Sequence, residues 1–174
     1  MSTKNNLTIY WSLLNYKEWN LYLAATAKGL CFVGSQNMPF DELSVWANKR
    51  FPGIPLTEDR EILIPYESEV IEYLEGKRKC FTVSYDVKGT PFQQAVWSAL
   101  SEIPYGHTKT YSDIANIIKK PAAVRAVGTA IGANPLLIAV PCHRIVGKNG
   151  NLTGYRGGLD MKSDLLDIER KGLI

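Results

Sequence analysis

A cysteine and a histidine stand side by side at Cys142 and His143, in the segment PCHRIVGKNG. Nucleophilic attack by a cysteine needs the thiolate, and a neighbouring imidazole can take the thiol proton. The preceding apolar run, Leu136 to Val140, predicts a buried strand or core segment, which Pro141 then ends. Free cysteine is also among the most buried residue types and is commonly inert, so adjacency alone leaves both interpretations open.

Turn-forming residues surround this pair. Asn134 and a proline lie upstream, whereas Gly147 with Lys148 to Asn151, and then Gly154 to Gly158, lie downstream. Each cluster is typical of a turn or loop. The pattern therefore predicts that loops surround Cys142.

Helix signals follow one another through the second half of the chain. Thr90 before a proline predicts the start of one helix, and Thr110 with Asp113 at capping-box spacing predicts the start of a second, short one. Pro121 then interrupts the chain and introduces a third helix, from Ala122 to Ile131. A short helix, a turn and a helix form the helix-turn-helix arrangement that reads DNA.

The third predicted helix consists of small and apolar residues with one cation, Arg125. Ala126 and Gly128 help to keep it slim, and Gly128 costs roughly 1 kcal/mol of helix propensity relative to alanine. Something must approach this helix closely. Tight packing against another helix would use the small residues equally well.

The first half shows mixed patterns, and we identify no catalytic motif in it. Alternating apolar residues over 7–34 predict a small antiparallel sheet, and Phe40 to Arg50 has the spacing of a helix. Glu58 to Tyr73 predicts a second helix with a break at Pro65. Cys80 to Tyr85 predicts another strand.

The composition is that of a globular protein, with 174 residues, 45% of them hydrophobic, and no long apolar run. The first residues lack the pattern of a signal peptide, so we expect a cytoplasmic protein without membrane contact. The three cysteines are odd in number and far apart, which argues against a disulfide framework and suits a reducing compartment. They form no CxxC pair, and we expect no bound metal.

The net charge of +3 hides a difference between the two halves. Residues 1–87 hold nine Lys and Arg against eleven acids, whereas residues 88–174 hold eleven against six. Between Ile103 and Leu159, seven cations face a single acid, Asp113. Such a one-sided stretch suits a polyanion, although a solvated surface would show the same composition.

Four long motifs occur in the order found in a known family. They are GTPFQQAVWSAL at 89–100, IPYGHTKTY at 103–111, PCHRIVGKNG at 141–150 and LLDIER at 165–170. The C-terminal half thereby resembles the 6-O-alkylguanine-DNA alkyltransferases throughout, and the N-terminal half matches only loosely. LLDIER lies in a predicted amphipathic helix, Asp160 to Gly172, in which Glu169 would by default be a solvated surface carboxylate.

The resemblance implies an α+β fold in two domains. Residues 1–86 would form a ribonuclease-H-like scaffold with a small antiparallel sheet and helices. Residues 87–174 would form a mostly helical, winged helix-turn-helix domain that binds DNA and accepts the alkyl group. We expect a monomer that uses no cofactor.

The activity implied is a direct, single-turnover transfer of an alkyl group to Cys142 from the 6-oxygen of guanine, and also from the 4-oxygen of thymine. The slim helix with Ala126 and Gly128 would enter the minor groove of double-stranded DNA. The target base would be flipped out of the stack into a pocket, at about a few kcal/mol.

Roles for the reacting residues follow by matching positions to the family motifs. Cys142 would accept the alkyl group, and His143 would draw off its proton through water. Glu169 would orient and charge that histidine, in the logic of a triad. Asn134 would brace the turn before the active-site segment.

The remaining matched positions would contact the DNA or the flipped base. Arg125 would replace the base in the stack, Tyr111 would rotate the phosphate or protonate the guanine, and Tyr155 would flank and hydrogen-bond the base. Gly157 would form a tight pocket wall. Arg156 is a large cation where some relatives carry a small residue, which leaves the pocket width and substrate range open.

Three other functions fit parts of this pattern. An alkyltransferase-like protein that senses lesions without repairing them would lack the cysteine at position 142. A transcription regulator would need an additional effector domain. A Cys-His hydrolase would turn over repeatedly on an ester without DNA, which a kinetic assay separates.

Overall fold

The computed structural model describes residues 7–173. Its first half is built around a four-stranded sheet, in which the third strand along the chain lies at one edge and is followed by the second, the first and the fourth. β1 (Ile9–Tyr16), β2 (Trp19–Thr26) and β3 (Gly29–Val33) form the antiparallel part that the alternation predicted. β4 (Leu56–Glu58) pairs parallel with β1 and escaped prediction, because three residues are too few to show a period.

Two helices cover the two faces of this sheet. α1 (Asp41–Arg50) buries Leu43 in a cluster with Ala24 of β2, and α2 (Arg60–Leu74) belongs to the cluster that contains Leu23. Successive residues of a strand point to opposite faces, so these two neighbours serve different helices. The strand is consequently buried along most of its length.

The break expected at Pro65 was wrong, since α2 runs through this residue. A proline within a helix leaves the carbonyl four residues earlier without its donor, here that of Glu61. Both Pro65 and Glu61 are exposed, so water can satisfy the oxygen at little cost.

The strand expected over residues 80–85 was also wrong. Tyr85 makes a single isolated bridge with Leu30, and the rest of this described segment joins no ladder. The carboxylate of Glu69 accepts the backbone N–H groups of Thr82 at 2.7 Å and Val83 at 3.4 Å. A side chain therefore takes the donors that a neighbouring strand would have used.

The helices of the second half follow the sequence closely. Thr90 caps α3 (Pro91–Ser101) and Thr110 caps α4 (Tyr111–Ile117), each through a reciprocal capping box. α5 (Val124–Gly132) begins slightly later than predicted and packs against both. α4 and α5 form the expected helix-turn-helix.

The segment from Leu136 to Val140 is buried but is not a strand. The N–H of Val33, in edge strand β3, donates to the carbonyl of Pro135 at 2.9 Å, and Val33 forms an isolated bridge with Leu136. Ile138 then adopts φ 70°, a left-handed conformation that no extended strand contains. The core-segment interpretation is confirmed, and the strand interpretation was wrong.

The remaining elements close the C-terminal half around this segment. β5 (Lys109–Thr110) pairs parallel with β6 (Ile145–Val146), and α6 (Leu159–Gly172) is the predicted amphipathic helix. One hydrophobic cluster contains Leu23 of the sheet together with Leu165 of α6, so the two halves share a continuous core. Within residues 7–173, no helix is both long and apolar enough to span a membrane.

Candidate active site

Cys142 opens a short 3-10 turn, Cys142–Arg144, at the end of the buried segment, and only 3% of its surface is exposed. Nδ2 of the buried Asn134 lies 3.2 Å from Sγ of Cys142. The same nitrogen contacts the carbonyl oxygens of Leu136 and Val140, while Oδ1 accepts the N–H of Leu136. One side chain thus supplies the hydrogen bonds that this segment would have found in a sheet, and fixes the thiol with them.

Glu169 of α6 is 1% exposed, so it is not a solvated surface carboxylate. Its Oε2 lies 2.5 Å from Nε2 of His143 and 2.5 Å from the phenolic oxygen of Tyr73. Its Oε1 accepts Nε–H of Arg144 at 2.9 Å and the backbone N–H of Gly106 at 2.9 Å. Four residues therefore donate to one buried carboxylate.

These donors determine which of Glu169 and His143 carries a proton. Burial alone would raise the pKa of Glu169, but the hydrogen bonds from His143, Arg144 and Tyr73 lower it to about 2. Burial lowers the pKa of His143, against the opposing pull of Glu169. An ionised carboxylate accepts, so the neutral imidazole carries its proton on Nε2 and leaves Nδ1 as an acceptor.

Cys142 rests as a thiol in this arrangement. Burial raises its pKa, and the hydrogen bond from Asn134 and the charges of Arg156 and Lys162 oppose that rise. Lys162 is itself buried, and burial lowers the pKa of its ammonium group. A buried thiol needs a base before it can attack, and the bare Nδ1 of His143 is a base of the required kind.

Tyr155 brings a phenol close to the same cysteine. Burial, and after it the charge of Cys142, raise the pKa of Tyr155 well above its usual value. Its hydroxyl is buried and has no hydrogen-bond partner among residues 7–173. A Cβ at Gly157 would lie 2.7 Å from Cε1 of Tyr155 and would also collide with Met161. Glycine at 157 is therefore required by the position of the phenol.

The residues expected to contact DNA lie toward the surface. Arg125 and Ala126 are exposed on α5, and Gly128 is half-buried. A Cβ on Gly128 would meet the Tyr111 ring at 3.8 Å, which is ordinary contact, so packing within this chain does not demand the glycine. The hydroxyl of Tyr111 shares a hydrogen bond with Thr153 at 2.9 Å. The slim face of α5 is consequently open to an outside partner.

Arg156 is directed toward the first half of the chain. Its Nη2 donates to the carbonyl of Val33 at 2.9 Å and to those of Asn134 and Pro135 at 3.3 Å. Its Nη1 lies 3.4 Å from Oε1 of Glu42. The guanidinium is engaged with the N-terminal sheet and its neighbour α1, while its Nη1 has no hydrogen-bond partner among the described residues.

Three residues of the site were missed by the sequence interpretation: Tyr73, Arg144 and Lys162. Tyr73 lies 70 residues before His143 on another helix, a separation that carries no periodic signal. Arg144 and Lys162 are long cations, which are normally solvated. Only the folded chain shows that both are buried.

Two family models cover the chain. One, described as the ribonuclease-like domain of 6-O-methylguanine DNA methyltransferase, matches residues 9–87. The other, described as the DNA binding domain of the same protein, matches residues 91–171.

Named relatives and solved structures agree with these matches. The chain is 66% identical to the inducible methylated-DNA–protein-cysteine methyltransferase of Bacillus subtilis, over 96% of this chain and 93% of that protein. It is 39% identical to the methylated-DNA–protein-cysteine methyltransferase of Methanosarcina mazei, over 95% and 99%. A crystal structure of Mycobacterium tuberculosis OGT in complex with DNA matches with TM-score 0.81 and 35% identity, over 94% of each chain. This chain belongs to the 6-O-methylguanine-DNA methyltransferase family.

Proposed function

We propose that this protein repairs alkylated DNA by moving the alkyl group from the 6-oxygen of guanine to Sγ of Cys142, once per molecule. Family membership supports the activity. The observation that carries the assignment to this cysteine is a pair of polar atoms, Nδ1 of His143 and the hydroxyl of Tyr155. Both are buried without a hydrogen-bond partner in the part of the chain that the structure describes. Buried polar atoms are normally paired, so these two mark where a substrate or a bridging water belongs.

The reaction can be written with these residues. The thiol proton of Cys142 passes through a bridging water to Nδ1 of His143, and Glu169 stabilises the imidazolium that results. The sulfur then bonds to the alkyl carbon, and the carbon–oxygen bond breaks with its electron pair left on guanine. Tyr111 supplies a proton to the departing base and regains one from solvent as the imidazolium of His143 releases its own, while Tyr155 hydrogen-bonds the base. The product is a thioether, which water does not readily hydrolyse, so the protein acts once.

The DNA would be held by the exposed face of α5. Its small residues, Ala126 and Gly128, would let the helix enter the minor groove, and Arg125 would fill the gap left by the flipped base. Of the seven cations between Ile103 and Leu159, Arg144 and Arg156 are engaged within the protein, and the other five are exposed and favour contacts with phosphates.

We also propose roles for the two halves, an oligomeric state, a second substrate and a cellular location. Residues 1–86 serve as a scaffold and residues 87–174 as the DNA-binding and acceptor domain, in a monomer. Alkylated thymine is a second substrate. A cytoplasmic location suits the three free thiols, which a reducing compartment preserves.

Mass spectrometry after incubation with an oligonucleotide that contains one 6-O-methylguanine tests the central proposal. We expect one added methyl group per chain, located on the peptide that contains Cys142. Cys142→Ala should gain none while still binding the duplex. Turnover that continues beyond one equivalent would favour a Cys-His hydrolase, and methylation of Cys31 or Cys80 instead would refute the assignment.

A further inference from the structure

Tyr73 places a phenol from the N-terminal half inside the proposed triad. It lies in the last turn of α2 and has no exposed surface. Its oxygen is 2.5 Å from Oε2 of Glu169 and 3.1 Å from Nε2 of His143. The phenol therefore shares one carboxylate oxygen with the imidazole.

The direction of these hydrogen bonds follows from charge. Glu169 is ionised and can only accept, so the hydroxyl of Tyr73 donates to it. Burial, and then the carboxylate, raise the pKa of Tyr73 well above its usual value, which keeps the phenol protonated. The lone pairs of the phenolic oxygen are left toward Nε2–H of His143.

A purely apolar role would not need this hydroxyl. The Tyr73 ring packs near Phe81, Tyr105 and His143, at centroid distances of 5.8, 6.1 and 6.2 Å. Phenylalanine would fill the same space in this cluster. A buried hydroxyl is tolerated where it is hydrogen-bonded, and here both neighbouring atoms belong to the proposed proton-transfer pair.

We propose that Tyr73 is a positioning residue for alkyl transfer. By donating a hydrogen bond to Oε2 of Glu169, its hydroxyl holds the His143 ring with Nδ1 free. The same hydrogen bond limits how strongly the carboxylate stabilises the imidazolium. The inference rests on the proposed function. It makes the N-terminal half a contributor to the reaction, beyond a scaffold.

Other charged and titratable groups also lie around this cluster, and none of them replaces the phenol. They are Arg144 and Cys142 in the 3-10 turn, Lys162 of α6, Tyr105 before α4, and Lys79 above the Tyr105 ring. Arg144 donates mainly to the other carboxylate oxygen, Oε1, at 2.9 Å. Only the phenol and the imidazole are within 3 Å of Oε2 among these described contacts.

Tyr73→Phe isolates the hydroxyl, and Tyr105→Phe is the matched control. Tyr105 is a buried tyrosine of the same cluster whose hydroxyl donates to the carbonyl of Ile168 at 3.3 Å. Without the Tyr73 donor, Oε2 loses a hydrogen bond that disperses its negative charge. Its attraction for His143 then increases, which favours the imidazolium. Protonated His143 cannot accept the proton of Cys142, so transfer should fail at a higher pH than in the wild type.

Nitrogen NMR of the imidazole rings gives the readout, because the chain holds only His107 and His143. In Tyr73→Phe we expect the His143 titration to move to higher pH by on the order of one pH unit. The signals of His107 serve as the internal reference, and Tyr105→Phe should resemble the wild type. The acid limb of the single-turnover rate should shift by the same amount, with DNA affinity and the final stoichiometry unchanged.

An unchanged His143 titration in a folded Tyr73→Phe protein would overturn the proposal, because a packing role predicts a loss of thermal stability alone.

Incorporation of 3-fluorotyrosine avoids any dependence on the folding of the variant. Fluorination makes the phenol a stronger acid and a stronger donor, so the His143 titration should move to lower pH, and an unchanged midpoint would again refute the role. Both titrations can be read without alkyl transfer, so failure of the proposed function would be seen separately in the mass-spectrometric assay.

Discussion

Nε2 of His143 and Oε2 of Glu169 lie 2.5 Å apart, although 26 residues separate them along the chain. The contact joins the 3-10 turn to the last turns of α6, and both side chains are essentially removed from solvent. The proton of the neutral imidazole is therefore fixed on Nε2, which leaves Nδ1 unprotonated. Under the proposed mechanism, the reactivity of Cys142 depends on a helix that begins well after it.

Glu169→Gln should slow alkyl transfer by roughly 10²-fold, because an amide does not stabilise the imidazolium as a carboxylate does. Single-turnover rates on a methylated duplex measure the effect. Affinity for the duplex should stay at the wild-type value, as it should in Cys142→Ala. A rate equal to wild type would return Glu169 to a structural role.

Asn134→Ala should lower the free energy of unfolding by about 2–4 kcal/mol, because it removes the buried partners of Leu136 and Val140 as well as the contact with Sγ. Urea denaturation measures the loss. Asn116→Ala, at an exposed position of α4, is the control and should change little. A variant as stable as the control would show that the segment holds its shape without this side chain.

Arg125→Ala should lower transfer from duplex DNA by roughly tenfold or more, with a much smaller effect on free alkylguanine base. The reason is that a residue that fills the gap in the stack matters only when a base has been flipped. Lys148→Ala, another exposed cation, should weaken duplex binding in a salt-dependent way without this selectivity. Equal losses on both substrates would mean that Arg125 supports the fold or the pocket instead.

The free energy of unfolding should fall on acidification, in a range set by two buried groups. Burial lowers the pKa of His143 below its usual 6.5, so the unfolded chain takes up that proton first and stability declines as the pH drops below 6.5. The pKa of Glu169 is lowered from 4.5 to about 2, so its contribution is complete above pH 4.5 and is lost as the pH falls toward 2. Urea denaturation across this range measures both. Glu169→Gln should lack the lower part of the decline, and an identical profile would contradict the linkage.

Much of the fold could be predicted where the signal is local. Thr90 and Thr110 mark helix starts through contacts three residues away, and both capping boxes are present. The failures have distant causes. The carboxylate of Glu69 binds the backbone N–H groups of Thr82 and Val83 in place of a strand over residues 80–85. The helix continues through Pro65 because the carbonyl left without a donor belongs to Glu61, which is exposed. The predicted family and the α+β class are confirmed by the family models and the structural matches.

The site shows the same division. Adjacency drew attention to Cys142 and His143, and a turn signal to Asn134. Glu169 would have remained a surface carboxylate without the family motif, since nothing in its neighbourhood along the chain reveals its burial. Tyr73 could not be found at all from the sequence, because its partners lie 70 and 96 residues away.

The contact of edge strand β3 with Pro135 means that the two halves of the protein are not independent pieces. A cut between residues 87 and 90 falls between the matched domains, yet the second piece would carry the reactive cysteine without the strand and the arginine-binding carbonyl of Val33 that hold its loops. Chimeras that exchange one half between relatives must therefore preserve the contacts of Val33 with Pro135 and Arg156. Two family models divide the chain, but contacts between both halves hold the loops around Cys142.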